Sequence, residues 1–455
     1  MTAAASAPPT FEAATFRKIA WRVIPLLFVG YIVAFLDRVN VGFAKLQMAS
    51  DLQFSDAVYG FGAGIFFIGY FVFEVPSNLI LRKVGARIWI ARIMITWGVI
   101  SSAFVFTGSI HWGPLSAGLN LTDEQLTFYV LRFLLGAAEA GFFPGVILYL
   151  TYWFPAQRRA QMVALFMTAI AVSNIVGSPV SGAILQFMDG ASGMRGWQWL
   201  FMLEGIPSVL MGVVILLFLA DHPRTAKWLM PEERDLVLAR IADEEASKGA
   251  HGQRHGIAEV FGDIRIWAFG LVYFTGALCL YTTNFWMPTL ISEFGVGSTD
   301  FFRVGLLSMI PWGVTAIVQV LWAWNSDRTG ERRWHTAGGF AMCAVGMLML
   351  ALIDGSPVLQ LLALTIVCCG ALCWVVTFWS IPTSFLSGAA AAAGIAWINS
   401  IGNLGGHFGP DLIGRIRDAN GGNADAAFLT LAAAALLGGI VVLLATRPKR
   451  VAAPA

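Results

Sequence analysis

Residues Tyr31–Gly42 read YIVAFLDRVNVG, and the fold of the chain turns on how that stretch is buried. It lies within an apolar run from Ile24 to about Ala44, and roughly 20 such residues are what an α-helix needs to cross a bilayer. In the outer third of the run stand an acid, a base and an amide: Asp37, Arg38 and Asn40. A charge at bilayer depth costs about 3 kcal/mol even on the most lenient scale, so such side chains as a rule line a cavity and carry function. Mutual neutralisation of Asp37 and Arg38 is the weaker account, because neighbouring helical residues project about 100° apart and do not both face one site.

The bulk composition agrees with that reading. Of 455 residues, 57% are hydrophobic and 12% charged, about half the charged fraction of a soluble globular chain. A net charge of +2, with no basic stripe interleaved with aromatics, gives no sign of a nucleic-acid partner. The five cysteines fall inside apolar segments and form no CxxC pair, so neither a disulfide nor a metal site is expected. Residues 1–10 are rich in Ala and Pro and carry no apolar signal core, so the first span is expected to remain uncleaved.

Outward from the first run, apolar segments of spanning length recur about twelve times: 22–44, 58–80, 88–108, 125–151, 160–187, 198–220, 266–291, 304–325, 335–353, 357–380, 390–412 and 425–446. One long polar interval, Asp221–Asp263, divides them six and six; its Pro231-Glu232-Glu233-Arg234 suits the first turn of a soluble helix. With the N-terminal side taken as inside, 22 of the 29 Lys and Arg residues fall on inner segments, 5 on outer ones, and Arg38 and Arg132 lie within spans. That asymmetry predicts cytoplasmic termini and a cytoplasmic linker. The expectation is an all-α membrane protein of two six-helix bundles: a disordered tail at 1–20, bundles at 21–220 and 265–446, a linker at 221–264 and a tail at 447–455.

The two halves echo each other. LRKVGAR (81–87) and NSDRTGERR (325–333) are tight, basic, Gly-containing turns at the same place in each set of six spans. Parallel six-span repeats with a site near the midplane characterise one large transporter architecture, the major facilitators.

Further polar residues sit at bilayer depth. Arg132 and Glu139 in span 4 are two helical turns apart on one face, with Gly136 between them leaving room for a substrate or a partner helix. Buried ion pairs add little net stability, so locking spans 1 and 4 together is a poor reason to build two of them. Arginine keeps its charge and grips a carboxylate with a fork of hydrogen bonds, whereas a desolvated acid can take and release protons near neutrality. Together these are the parts of a proton–anion symporter. Span 2 adds Tyr70, either a core aromatic or a cavity hydroxyl. It also adds Glu74, expected to act in gating or pairing near Arg82 and Arg87. Span 5 offers Asn174 as a cavity residue. Spans 7 and 10 contribute Tyr281, Asn284 and Trp379 among aromatics that are mostly packing. In span 11, WINSIGNLGGHFGP (397–410) places Asn399, Asn403 and His407 on one face beside a Gly402/Gly406 ridge. Asn399 is the candidate substrate ligand there, and His407 reads better as a hydrogen-bonded structural group than as a proton relay.

The stretches FLDRVNVGFAKLQM (35–48), FEVPSNLILRKVGAR (73–87), LRFLLGAAEAGFFPGVILYLTYWFP (131–155) and INSIGNLGG (398–406) resemble the anion:cation symporter family of the major facilitator superfamily, over nearly the whole chain. The resemblance implies that Asp37 and Glu139 are proton-coupled acids and that Arg38 holds the substrate carboxylate. It further implies that Tyr70 and Asn399 are substrate ligands and that Arg132 partners the acid of span 4. Arg82 stands where the family's first gating turn has an Asp, so the charge network between halves is altered, with Glu74 a candidate substitute; Asp327 and Arg328 keep the second copy. Span 7 lacks the Arg of the family's glutamate carriers, and EVPSN is nearer the tartrate and phthalate branch.

The expected function is proton-coupled import of a small organic carboxylate, such as tartrate, a sugar acid or phthalate, by a monomer in a bacterial inner membrane. Protons serve as the coupling ion and no cofactor or metal is expected. Exchange or uniport without protons is the alternative, and a non-transporting sensor is disfavoured, since about 43 polar residues fall well short of an output domain of about 100. No nucleophile–base or metal-ligand pattern argues for an enzyme.

Overall fold

The computed structural model describes residues 9–251, 262–296, 299–385 and 388–447, and every regular element among them is a helix. A bilayer offers the backbone no hydrogen-bond partners, so each crossing segment must satisfy its own amides and carbonyls within a helix. Spans 1 to 6 are Thr10–Asp51, Asp56–Val84, Ala86–Phe106, Asp123–Thr151, Gln161–Phe187 and Gly196–Phe218. Spans 7 to 10 are Ile264–Gly295, Phe301–Thr329, Arg333–Leu352 and Pro357–Ser384, and span 12 is Asp425–Ala445. Span 11 is broken into Gly388–Asn403 and Gly405–Ala419. Spans 1–6 pack as one bundle and spans 7–12 as a second, and they meet through spans 1, 2 and 5 on one side and 7, 8 and 11 on the other.

Both described ends of the chain and the Lys/Arg-rich turns lie at one end of the bundles, termed here the basic face; the opposite end is the far face. The first helix begins at Pro9, so residues 9–20 are helical rather than a disordered tail. Phe16 and Ile19 are buried there, and Glu12 accepts from Arg240 at 2.6 Å. Tertiary cover supplies the order that Ala/Pro-rich composition did not suggest. The polar interval contains the expected helix, Pro231–His251, with Glu232 and Glu233 in its first turn. It lies against the N-terminal bundle through Lys18–Glu233 at 2.6 Å and Arg159–Glu244 at 3.5 Å.

Two departures from regular helix shape the interior. Span 4 is interrupted where Gly141 takes φ +87, a left-handed conformation that favours glycine, beside Ser77 of span 2. Non-helical backbone at this depth is tolerated where protein or a cavity covers it. Span 11 tightens at Leu404, which keeps helical dihedrals while its amide bonds Ile401 and its carbonyl accepts from His407. Gly136 meets the carbonyl of Phe66, so its missing side chain admits span 2 rather than a substrate. The Gly402/Gly406 ridge is split between two neighbours: Gly402 lies on Tyr273 of span 7 and Gly406 on Phe67 of span 2.

Candidate functional site

Arg38 and Asp37 part company. The Arg38 side chain enters a cavity between the halves, lined by residues of spans 1, 2, 4 and 5 on one side and 7, 10 and 11 on the other. Its Nη2 donates to Glu139 of span 4, and its Nη1 donates to the Tyr281 hydroxyl at 3.3 Å. The rings of Phe35, Phe66 and Tyr70 stand 5.5, 5.5 and 5.8 Å from the guanidinium carbon. Arg38 is 6% exposed, and the aromatic faces and the anion beside it offset the cost of burying its charge.

Asp37 points the other way, as the helical offset requires. Its carboxylate accepts from Trp97 Nε1 at 2.6 Å and Ser101 Oγ at 2.8 Å on span 3, and from Ser208 of span 6. Three neutral donors hold it, and it forms no hydrogen bond or ion pair with the side chains of Arg38, Arg132 or Glu139 among the described residues.

Arg132 corrects an expectation. It donates through Nη2 to the Ala63 carbonyl at 2.8 Å and through Nε to that of Gly62 at 3.3 Å, and forms no ion pair with Glu139. Two turns of helix separate the pair by about 10.5 Å along the axis, too far for direct contact, and span 1 brings Arg38 to Glu139 instead.

The cavity gathers most of the other candidates. Tyr70, Tyr281, Trp379, Asn399 and Asn403 line it together with Arg38. Asn174 does not: it lines a second, smaller cavity with Asn284, and its amide donates to the Ile170 carbonyl of its own helix at 2.9 Å. Asn284 likewise bonds its own helix, at Leu280. His407 does not line the cavity with Asn399 and Asn403; its ring sits against Phe61, 5.6 Å away, at the seam of spans 2 and 11.

The gating candidates are rearranged. Glu74 reaches neither Arg82 nor Arg87. It is 5% exposed and accepts from Asn399 Nδ2 at 2.8 Å and Ser400 Oγ at 3.1 Å, both in the other half. Its position, two turns before Arg82, faces span 11 rather than the turn. Arg82 is exposed, the Arg87 backbone amide donates to Asp221 at 2.7 Å, Asp327 pairs with Arg332, and Arg328 covers Trp324. Each of these contacts stays within one half, so the expected inter-half gate is not formed at the basic face among the described residues.

The far face carries a gate that sequence reading treated only as loop charges. Arg417 bridges Asp56 Oδ2 at 2.7 Å and Glu293 Oε1 at 2.6 Å, and Lys45 holds the other oxygen of Asp56 at 2.7 Å. Asp418 accepts the backbone amides of Asp56 and Ala57 at 2.9 and 3.0 Å, and Tyr59 donates to the Phe285 carbonyl at 2.8 Å. Glu204 was also missed. It is 5% exposed in span 6 and accepts from Ser181 at 2.6 Å. The rule for intramembrane charges that singled out Asp37 applies equally to an acid inside 198–220. The halves are therefore sealed at the far face, and the innermost polar link between them, among the described residues, is Glu74 with Asn399 and Ser400.

Comparison with known proteins agrees with this architecture. A family model described as Major Facilitator Superfamily matches residues 27–410. Two Agrobacterium vitis proteins named "Putative tartrate transporter" are similar along almost their full length: 50% identical over 90% of this chain and 86% of the first, and 49% over 96% and 95% for the second. Among solved structures, that of a D-xylose-proton symporter superposes with a TM-score of 0.72 at 16% identity, covering 93% of this chain and 97% of that one.

Proposed function

This chain belongs to the Major Facilitator Superfamily and is a multi-pass membrane transporter, and on that premise we propose that it imports a small organic carboxylate together with protons. The observation that carries the reading is the Arg38 guanidinium, held by Glu139 and the Tyr281 hydroxyl in an inter-half cavity that Tyr70, Asn399 and Asn403 also line. Arginine cannot release its charge, so a carboxylate is its natural cargo. Glu139 competes for the same guanidinium and yields it only when protonated. In the outward-open state, a proton on Glu139 frees Arg38 for the anion. Rocking of the halves opens the cavity to the basic face, read as cytoplasmic. Loss of the proton there returns Glu139 to Arg38 and displaces the cargo. Asp37, behind the cavity, is the second proton site in this scheme; Arg132 keeps spans 2 and 4 in register. The names of the two Agrobacterium vitis relatives make tartrate the first cargo to try. The setting is a bacterial inner membrane, with the chain acting as a monomer.

The experiment is uptake into proteoliposomes of labelled tartrate, a sugar acid and phthalate under an imposed inward proton gradient. Concentrative uptake that collapses with the gradient, and that is lost on Arg38→Ala and Glu139→Gln, is the expected result. Counterflow that persists while gradient-driven accumulation is absent would replace symport with exchange. Transport of none of the anions ends the carboxylate reading.

A further inference from the structure

Glu74 has no place in the scheme above, yet it hydrogen-bonds from one half to the other beside the cavity. It stands one helical turn inward of Tyr70, a cavity residue, and its two carboxylate oxygens take the Asn399 amide and the Ser400 hydroxyl separately, at 2.8 and 3.1 Å. Both donors belong to span 11. No Lys or Arg lies within ion-pair distance of Glu74 among the described residues. The ionisable groups that share its surroundings are Tyr70 on its own span, Tyr273 and Tyr281 on span 7, and Arg38 and Glu139 across the cavity, which are already committed to each other. A buried carboxylate facing neutral donors only is an expensive arrangement, and hydrocarbon packing would be cheaper if stability were its purpose.

The two ends of the cavity then follow one pattern. At the N-terminal wall a protein carboxylate, Glu139, occupies Arg38. At the C-terminal wall a second protein carboxylate, Glu74, occupies Asn399. We infer that Glu74 stands in for a second cargo carboxylate, so that the transporter is built for a small dicarboxylate whose far end takes Asn399 and Ser400 from Glu74. The inference rests on the carboxylate-import reading and names its substrate class. An anionic Glu74 and an anionic cargo group cannot share those donors. Glu74 must therefore take up a proton as the dicarboxylate binds, after which its own O–H becomes a further donor to the cargo. That proton supplies the charge compensation which span 7, without a second arginine, does not provide. The second cargo carboxylate thus arrives with a proton of its own, taken by Glu74, in addition to those assigned to Glu139 and Asp37. A monocarboxylate engages Arg38 and leaves the Glu74 link intact.

The test counts protons taken up on binding to the purified full chain, by calorimetry in buffers of different ionisation heat. Tartrate and threonate make the pair of probes, since they differ only in one carboxylate replaced by hydroxymethyl. The wild-type protein is expected to take up one more proton with tartrate than with threonate. Its tartrate affinity should therefore lose about tenfold more per rising pH unit than its threonate affinity, in the range where the acids are ionised. Glu74→Gln should abolish that difference in proton count between the two probes. Equal proton counts for the two probes in the wild-type protein overturn the inference and leave carboxylate import standing, and this arm requires no variant to fold. Binding of neither probe overturns this inference, and the parent reading falls with it only if phthalate is not bound either.

Discussion

The far face and the basic face carry the same kinds of side chain and use them in opposite ways. At the far face charges reach across the halves: Arg417 of one half holds Asp56 of the other, and small residues such as Gly60 and Gly182 bring backbone against backbone. At the basic face Arg87 turns to Asp221 and Asp327 to Arg332, each within its own half. The difference places the charged links between the halves in the far seam, whereas on the basic side of the cavity the halves are joined by Glu74 with Asn399 and Ser400.

The comparison can be broken or sharpened by measurement. All five cysteines are buried, so a single thiol label introduced by Ala57→Cys at the far seam reports opening against a quiet background. The largest effect is expected from Arg417→Ala. Breaking a buried pair costs about 3 kcal/mol, at the low end here because Asp56 retains Lys45. Labelling at position 57 should rise roughly 100-fold, by the rule that 1.4 kcal/mol is tenfold. Gly60→Ala comes next. Its Cβ would run into the Pro410 carbonyl, and overpacking of that kind costs about 2 kcal/mol, so labelling should rise about 30-fold with no charge altered. Tyr59→Phe removes one hydrogen bond to Phe285, and about 1 kcal/mol is expected, read as a modest rise in labelling and a small loss of thermal stability. Asp327→Asn should do least. Its side chain is 67% exposed, where such pairs contribute about 0–1 kcal/mol; a response rivalling that of Arg417→Ala would overturn the contrast between the faces.

Much of the architecture was legible in residue order. The twelve apolar runs matched helices because bilayer-depth backbone has no other way to satisfy itself. The divergence of Asp37 and Arg38 followed from helical geometry alone. Span limits were less legible: span 1 extends to Pro9, span 4 breaks internally and span 11 tightens at Leu404, since tertiary cover decides where a helix frays or bends. Partner choice was the least legible. Glu139 shares a helix with Arg132 yet pairs with Arg38. Glu74 lies near two basic residues in sequence yet bonds Asn399 and Ser400. Arg417 and Lys45 looked like loop charges and prove to be buried in the seam.

The sequence by itself determined which residues are costly in a membrane, how many times the chain crosses it, and on which side of one helix each charge projects. These are properties of composition and of a 3.6-residue period. Only the tertiary structure decided which acid meets which base, because a charge pairs with what is nearest in space, and proximity between spans is set by the packing of glycine ridges and aromatic rings rather than by distance along the chain. The DRVN motif supplied an arginine. The fold chose Glu139 to hold it, and set Glu74 on Asn399, which lines the same cavity.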